Sequence, residues 1–212
     1  MNVLVISGPA SIYLDPARKI LNQSTGRTGV TIADILQKNG FSATLWQGKE
    51  ASWPLPSGIR ISAEFRTVPE LQFLLGKSDL AQFHAILVPA ALPDYALKCT
   101  RDLQGGVLPE GKWPGSLPGL QIELTPGPRI LPILRDYAPK AKIIGWKWET
   151  QGDMKEIRKI AEKQIQTCRT DGCVLNGPAY GDGYLLVTAG GDSLPCPTAA
   201  ELGHALARYL KS

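Results

Sequence analysis

The segment Asn22–Gly29, which reads NQSTGRTG, places hydroxyl, glycine and basic residues directly before an apolar helical pattern. The amino terminus of a helix offers free N–H groups and the positive end of the helix dipole, and both favour a bound phosphate. The segment supplies hydroxyl donors, a cation and two glycines that would let a ligand approach the backbone, namely Ser24, Thr25, Thr28, Arg27, Gly26 and Gly29. The pattern predicts a phosphate site, and it is also compatible with Ser24 or Thr25 acting only as a helix cap.

Two common nucleotide-binding motifs are absent from the sequence. It contains no G-x-x-x-x-G-K-[ST] phosphate loop. The turn after the first predicted strand reads SGPASIYLD, without the G-x-G-x-x-G of dinucleotide-binding sheets. A Tyr-x-x-x-Lys pair is also missing. These absences argue against a nicotinamide-dependent oxidoreductase.

The elements around the phosphate segment form a β-α-β unit. Asn2–Ile6 is a continuous apolar run typical of a strand buried on both faces, Gly26–Asn39 has helical periodicity, and Ser42–Trp46 predicts a second strand. Strand and helix patterns continue to alternate along the chain. They predict an α/β fold with a mostly parallel sheet and helices on both faces, and residues 1–212 are expected to form one domain.

The remaining segments complete this prediction. Ala10–Arg18 is interpreted as a loop, and residues 92–120 as a long flap rich in glycine and proline. Further strands are predicted at Gly58–Ser62, Phe83–Val88, Gln121–Leu124, Lys142–Trp146, Cys173–Leu175 and Tyr184–Thr188. Further helices are predicted at Val68–Leu75, Gly127–Tyr137, Met154–Cys168 and Thr198–Leu210, the last with Thr198 as its cap and Glu201 completing a capping box.

Ligands of open parallel sheets bind beyond the carboxyl ends of the strands. Four loops are expected to meet at that edge, around one crevice: Ser7–Pro9, Val88–Asp94, Gly145–Thr150 and Asn176–Pro178. The phosphate segment is expected at the same edge, because it begins the first long helix.

The amino-acid composition limits which binding partners and which cellular compartment are expected. The net charge is +4 and the basic residues are scattered, which does not indicate a nucleic-acid surface. The four cysteines form no C-x-x-C pair, so we interpret them as reduced thiols. No apolar run approaches the length of a membrane span and no targeting segment is recognised, so the cytoplasm is the expected compartment.

A family resemblance begins at Gly8–Asn22, which reads GPASIYLDPARKILN. This run resembles the signature G-[GP]-T-x-E-x-[IL]-D-P-V-R-x-I-[ST]-N of phosphopantothenate–cysteine ligases. These are the synthetase half of the bifunctional coenzyme A proteins, whose other half is a flavin-dependent decarboxylase. Four further blocks resemble the family in the same order: QSTGRTG its x-S-S-G-K-M-G, PAALPDY its A-A-V-A-D-[YF], IGWKWET its V-G-F-A-A-E-T, and VLN its V-A-N-D. The chain is therefore identified as a member of this family.

The resemblance implies a Rossmann-like homodimer that catalyses two steps on small-molecule substrates. The carboxylate of 4′-phosphopantothenate attacks the α-phosphate of CTP, or of ATP in some members, and pyrophosphate leaves. The amine of cysteine then displaces the nucleoside monophosphate and forms an amide. Mg²⁺ would accompany the nucleotide. No flavin is expected, because flavin belongs to the other half of the bifunctional proteins, and no metal site built by protein ligands is expected.

The resemblance also implies roles for individual residues. Asn22 would contact the acyl-nucleotidylate and assist amide formation, Asp94 would read the cytosine ring, and Trp146 stands where the family has a phenylalanine beside the nucleotide. Other nucleotide or phosphate contacts would come from Gly8, Ser24, Thr25, Gly26, Arg27, Ala90, Gly145 and Asn176. Asn22, Asp94, Trp146 and Asn176 each also have a purely structural interpretation, as a cap, a turn residue or a core aromatic.

Several family features are altered in this chain. The lysine-rich K-x-K-K flap strand becomes Pro109–Gly115, with Lys112 as its one lysine; K-N-P-D-I becomes Thr125–Ile130, with Arg129 in place of the acid. The acid of A-N-D-V is lost at Gly177, and an Ala-Ala pair becomes Lys147-Trp148. Two interpretations follow. Activation is retained with Lys112 or Lys147 as the catalytic cation, or the protein is a degenerate, non-catalytic relative that binds a nucleotide or a pantetheine-like ligand.

Overall fold

The computed structural model describes residues 1–212 and is built around one eight-stranded sheet. Numbered in chain order, the strands of this sheet are β1 (Asn2–Ser7), β4 (Ser42–Gly48), β5 (Ile61–Phe65), β6 (Ala85–Leu87), β9 (Lys142–Trp148), β10 (Gly172–Gly177), β11 (Gly181–Thr188) and β12 (Ser193–Cys196). They lie in the order β12-β11-β10-β9-β6-β1-β4-β5. In this spatial order, the six neighbouring strands from β10 to β5 pair in parallel, and β11 pairs antiparallel with both β10 and β12. The predicted Rossmann-like α/β fold is confirmed.

Helices cover both faces of the sheet. They are α1 (Arg27–Lys38), α2 (Val68–Lys77), α3 (Leu134–Tyr137), α4 (Met154–Cys168) and α5 (Ala199–Lys211). Alternate residues of β1 explain the layers, because Val3 and Val5 pack in the core under α1 and α5, whereas Leu4 and Ile6 pack under α2 and α3. Burying each such side chain contributes about 1.5–3 kcal/mol. A strand covered on both faces therefore reads as an unbroken apolar run.

Local signals in the sequence fix several helix ends. Asp153 and Glu156 form a capping box at the start of α4, which has the predicted bounds. Thr198 caps α5 as predicted, since its hydroxyl oxygen accepts from the Glu201 N–H at 3.2 Å. The Glu201 carboxylate in turn accepts from the Thr198 hydroxyl at 3.0 Å rather than reaching the backbone. No helix combines the length and the apolar character needed to cross a bilayer.

Two small sheets lie outside the central one, and both correct the sequence prediction. Ala10–Arg18, interpreted as a loop, contains β2 (Ser11–Asp15) and the first residue of β3 (Arg18–Leu21), and the two strands form a hairpin. The predicted flap, residues 92–120, contains β7 (Tyr95–Arg101), which pairs antiparallel with β8 (Gln121–Pro126). We call β7, β8 and the residues between them the arm. Many side chains of both sheets are exposed, so a buried apolar run could not reveal these strands.

Three other elements differ from the prediction. The helix predicted over Gly127–Tyr137 is irregular up to a 3₁₀ turn at Leu131–Ile133, and only α3 follows. Prolines at positions 126, 128 and 132 explain this, because each removes an N–H donor and disfavours helical geometry before it. Strand β5 begins later than predicted, and β12 was missed. β12 is a short edge strand with mostly exposed side chains.

Candidate functional site

A cavity of about 760 Å³ opens beyond the carboxyl ends of the central parallel strands β6, β9 and β10. The residues that follow β3 and β8 and the first turn of α1 complete its walls. The residues predicted from the sequence that line it are Asn22, Ser24, Ala90, Asp94, Trp146, Lys147 and Asn176. The sheet therefore gathers side chains that lie far apart in the chain, at the edge where parallel sheets bind ligands.

Six predicted residues do not line this cavity: Gly8, Thr25, Gly26, Arg27, Lys112 and Gly145. Of these, Lys112 is exposed on the arm. Gly145 is buried in β9, where an added Cβ would lie 2.5 Å from Gln164 Nε2 and 2.6 Å from Leu131 Cδ2. Gly145 thus lets the wall pack, since both neighbouring side chains line the cavity. Gly8 similarly turns with a φ of +78° beside the Gly48 backbone.

The amino terminus of α1 reaches the cavity through Ser24 and Thr28. Gly26 is the N-cap residue with a φ of 81°, and it makes no side-chain cap hydrogen bond. The Ser24 hydroxyl oxygen accepts from the Gly26 N–H at 3.3 Å, and the Val30 N–H donates to the Gly26 carbonyl at 3.1 Å. The N–H groups of Thr28 and Gly29 precede that first helical bond, as in the helix ends that bind anions.

Thr25 and Arg27 turn away from the cavity. The Thr25 carbonyl accepts from the N–H groups of Ser52 at 3.1 Å and Trp53 at 2.9 Å. The Arg27 guanidinium lies 5.0 Å from the centre of the Trp53 ring, within cation–π range. These contacts join the segment to the loop after β4. The predicted phosphate segment therefore divides into a cavity side and a structural side.

A close contact holds α1 against the sheet. The Ser7 hydroxyl at the end of β1 donates to the Gly26 carbonyl at 3.2 Å. A Cβ on Gly29 would lie 2.2 Å from Ser7 Oγ and 2.4 Å from Ser7 Cβ. Only glycine at this position lets the first turn of α1 approach β1 so closely.

Trp146 is both a residue of the cavity wall and a core aromatic. Trp146 lines the cavity and also packs against the core beneath α1 and α5. Its indole Nε1 is buried and has no hydrogen-bond partner in the protein. Across the same region, the Thr28 hydroxyl and the Tyr184 hydroxyl are 2.8 Å apart. Tyr184 lies on β11 and was not identified from sequence, because no motif marks it.

Two basic residues, Arg129 and Lys147, line the cavity. Arg129 Nε lies 3.8 Å from Asp94 Oδ1, and Lys147 Nζ lies 3.6 Å from Glu149 Oε1. The Gly127 N–H donates to the Asp94 carbonyl at 2.9 Å, which joins the two ends of the arm directly beside the first pair. Asp94 is the one carboxylate among the lining residues. No group of three or more His, Cys, Asp or Glu side chains is placed to hold a metal ion.

A buried carboxylate links the hairpin to the arm. The Asp15 side chain has no exposed area. It accepts from Arg18, from the Ala17 N–H at 2.7 Å and from the Trp113 N–H at 3.3 Å. Burial alone would raise the pKa of Asp15, but these backbone and Arg18 hydrogen bonds outweigh burial and lower the pKa below its ordinary value. Asp15 and Arg18 belong to the motif that carries the family resemblance, and their link to Trp113 was not predicted.

Comparison with known proteins decides the family. Residues 1–184 match the family described as the DNA/pantothenate metabolism flavoprotein C-terminal domain. The chain belongs to this family. The family assignment made from the sequence motifs is thereby confirmed.

Individual members of this C-terminal domain family show the extent of the similarity. The coenzyme A biosynthesis bifunctional protein CoaBC of Thermococcus kodakarensis is 30% identical over 175 residues, which are 82% of this chain and 40% of that protein. The phosphopantothenate–cysteine ligase of Mus musculus is 30% identical over 121 residues, 54% of this chain and 36% of that protein. The chain thus spans less than half the length of these relatives.

The fold of the C-terminal domain family is also seen in solved structures. The crystal structure of the DNA/pantothenate metabolism flavoprotein from Streptococcus pneumoniae has a TM-score of 0.86 at 21% identity. The superposition covers 100% of this chain and 98% of that chain. At this identity, the similarity establishes the shared fold.

Proposed function

We propose that the protein is a phosphopantothenate–cysteine ligase of coenzyme A biosynthesis. The observation that carries this proposal is the arrangement of Asn22, Ser24 and Asp94 around one cavity, in a chain of a family with ligase-named members. A carboxylate is a poor acylating group, so it must first gain a good leaving group. An acyl-nucleotidylate supplies that group as a nucleoside monophosphate.

The residues that line the cavity suit both steps. In the first, a carboxylate oxygen of phosphopantothenate bonds to the α-phosphorus of CTP or ATP, and the bond to the departing pyrophosphate breaks. The N–H groups at the start of α1 and the Ser24 hydroxyl would bind phosphate oxygens as negative charge moves onto the departing pyrophosphate. In the second step, the amine of cysteine attacks the acyl carbon, loses a proton, and displaces the nucleoside monophosphate. The Asn22 amide would donate to the acyl oxygen as negative charge develops there.

Mg²⁺ fits this site as a partner of the nucleotide. Mg²⁺ is commonly held by one or two carboxylates together with substrate phosphates and water. Asp94 is the single carboxylate that lines the cavity, so phosphate oxygens and water would supply most of the ligands of Mg²⁺. Bound in this way, Mg²⁺ would neutralise charge on the transferring group. Nothing in the proposed reaction uses flavin.

The test separates activation from amide formation. The purified chain is incubated with phosphopantothenate, cysteine and Mg²⁺, with CTP or ATP in parallel, and both pyrophosphate and amide are measured. Release of pyrophosphate with formation of amide supports the ligase and identifies the nucleotide. Asn22→Asp should release pyrophosphate but form little amide, because the donor to the acyl oxygen is lost. No pyrophosphate with either nucleotide would reject the proposal.

The position of Lys112 favours one alternative, a non-catalytic relative that binds a nucleotide or a pantetheine-like ligand. Lys112 is exposed and outside the lining residues, and the family's other flap lysines are absent. Binding of CTP or ATP without pyrophosphate release in the assay above would support this alternative. Lys147 remains a candidate for the missing cation because it does line the cavity, and full activity of Lys147→Ala would remove that role.

We also propose that the protein is a cytoplasmic homodimer. Exposed large apolar side chains occur on the hairpin and the arm: Tyr13, Leu21, Tyr95, Ile122 and Leu124. Strands β2 and β7 are neighbours, and exposed apolar side chains on neighbouring elements commonly mark an interface. Light scattering coupled to gel filtration should give twice the mass of 22.9 kDa. A monomer at micromolar concentration would contradict the dimer without affecting the ligase proposal.

A further inference from the structure

The two basic side chains that line the cavity differ in how accessible they are to an anion. The Lys147 side chain is 36% exposed and faces Glu149, whereas the Arg129 side chain is 67% exposed. A guanidinium presents several N–H donors in a planar fork that binds phosphate through two parallel hydrogen bonds. An ammonium acts more as a single point charge. By geometry and access, Arg129 is the better phosphate ligand.

The backbone holds Arg129 at the cavity although its side chain is exposed. Ile130, the next residue, is 2% exposed and anchors the segment in the core beneath α2 and α3. Pro128 fixes the backbone on the other side. The Gly127 N–H donates to the Asp94 carbonyl at 2.9 Å, which sets the spacing between the two segments. The guanidinium is therefore carried by a rigid base.

The contact between Arg129 and Asp94 is loose. Its 3.8 Å separation between Nε and Oδ1 is well beyond the 2.7–2.9 Å of a charge-assisted hydrogen bond. Both side chains are exposed, and exposed ion pairs contribute little to stability. A polyphosphate, which carries more charge than one carboxylate, can therefore compete for the guanidinium at small cost.

We propose that Arg129 binds the polyphosphate of the nucleotide, and that Asp94 pairs with Arg129 only while the cavity lacks an anion. This proposal rests on the proposed function and names a specificity-determining residue for it. Phosphate oxygens take the place of Asp94 on the guanidinium. The released Asp94 carboxylate becomes an acceptor for a donor group of the ligand. Occupation by phosphate and availability of Asp94 are thereby coupled.

The experiment measures binding rather than turnover. The full chain is titrated calorimetrically with pyrophosphate, CTP, ATP and the nucleosides cytidine and adenosine. The wild-type protein should bind a triphosphate more tightly than its nucleoside. Arg129→Gln should weaken triphosphate binding by about tenfold or more, because a charge-assisted contact is lost, and should not weaken nucleoside binding. Arg129→Lys should recover part of the loss, and Asp94→Asn should tighten pyrophosphate binding by removing its competitor.

A matched control comes from Arg66, another exposed arginine in a loose ion pair. Its NH1 lies 4.0 Å from Glu70 Oε1, and it is outside the cavity lining. Arg66→Gln changes the total charge as Arg129→Gln does, and should not change any of the affinities. An equal loss in both variants would show a general charge effect and would overturn the proposal.

Other outcomes also overturn the proposal. These are wild-type affinity for triphosphate in Arg129→Gln, a loss seen in Lys147→Gln instead, or no binding of any of the three phosphates to the wild-type protein. The two proposals fail separately. Amide formation with undiminished triphosphate affinity in Arg129→Gln rejects the role of Arg129 and retains the ligase. Arg129-dependent binding without pyrophosphate release retains the role of Arg129 and rejects the ligase.

Discussion

The N–H of Trp113 donates to the carboxylate of Asp15 at 3.3 Å, across 98 positions of sequence. The contact is reinforced on both sides, because Arg18 binds Asp15 and also donates to the Trp113 carbonyl at 3.4 Å. The Trp113 indole donates to the Pro109 carbonyl at 2.9 Å, and the residue is 7% exposed. One side chain thus attaches the end of the arm to the hairpin that leads to Asn22.

Asp15→Asn should loosen this attachment and lower the thermal stability. The amide keeps the shape but loses the charge that binds Arg18 and strengthens the two backbone hydrogen bonds. We expect the melting temperature to fall by roughly 3–6 °C and trypsin to cleave after Lys112 several times faster than in the wild-type protein. Asp182→Asn, at an exposed position of β11, serves as the control and should change neither value. Unchanged cleavage after Lys112 in Asp15→Asn would show that the carboxylate does not hold the arm.

The same carboxylate predicts how stability depends on pH. Its pKa in the folded protein lies below its ordinary value of 3.8, so the unfolded chain binds the proton more readily. The contribution of Asp15 is therefore complete above about pH 4 and is lost as the pH falls through the lowered pKa. Urea unfolding of the wild-type protein and Asp15→Asn should show a difference at pH 6 that shrinks toward pH 3. Glu123, whose pKa is also lowered, by Lys98 and Cys99, remains in both proteins and cancels in the comparison. A difference that grows on acidification would contradict the assignment.

The four cysteines should differ in their reaction with a thiol reagent. Cys168, Cys173 and Cys196 are buried, whereas Cys99 is partly exposed on the arm. Burial raises the pKa of Cys173 to about 12, so its thiolate is scarce at neutral pH. In the native protein one thiol should react quickly with an aromatic disulfide reagent, and Cys99→Ser should abolish that phase. All four should react in denaturant. A fast phase that survives Cys99→Ser would place a second thiol within reach of solvent.

Gly29→Ala should destabilise the protein by about 1–3 kcal/mol, the usual cost of forcing atoms into a packed contact. The new Cβ would lie 2.2 Å from Ser7 Oγ, so α1 must move away from β1. Adding Ser7→Gly should recover part of the loss, because both clashing atoms belong to that side chain. Gly76→Ala in α2 is the matched control, since its Cβ would meet only Tyr137 Oη, at 3.9 Å, and alanine favours a helix. Equal unfolding free energies for Gly29→Ala and wild type would contradict the close packing of α1.

The elements predicted most accurately were helices with clear capping residues and strands buried on both faces. Asn2–Ile6 revealed β1 because both faces of that strand are covered, and α4 had the predicted bounds because Asp153 and Glu156 cap it. The hairpin strands and β7 were not predicted, because exposed strands have no continuous apolar run. The Asp15–Trp113 contact escaped because no pattern relates residues so far apart.

The candidate site was predictable to a similar extent. The rule that ligands bind beyond the carboxyl ends of parallel strands grouped the loops around Asp94, Trp146 and Asn176, which do line one cavity. It also placed the Ser7–Pro9 loop there, and that loop does not line the cavity. It could not separate residues that line the cavity from those that support its wall, such as Gly145. Arg129 was recognised only as a departure from the family pattern. Its place beside Asp94 depends on how β8 returns to the core, which is a property of the tertiary structure.

The hydrogen bond between Gly127 and Asp94 has a mechanical consequence. β7 begins immediately after Asp94, and β8 ends immediately before Gly127, so the arm projects from the two segments that carry the Asp94 carboxylate and the Arg129 guanidinium. The arm is therefore a closed loop tied at two places, at its base by this hydrogen bond and at Trp113 by Asp15. It works as a brace: it holds the segments that carry Asp94 and Arg129 at one spacing, and it connects the cavity mouth to the hairpin that leads to Asn22.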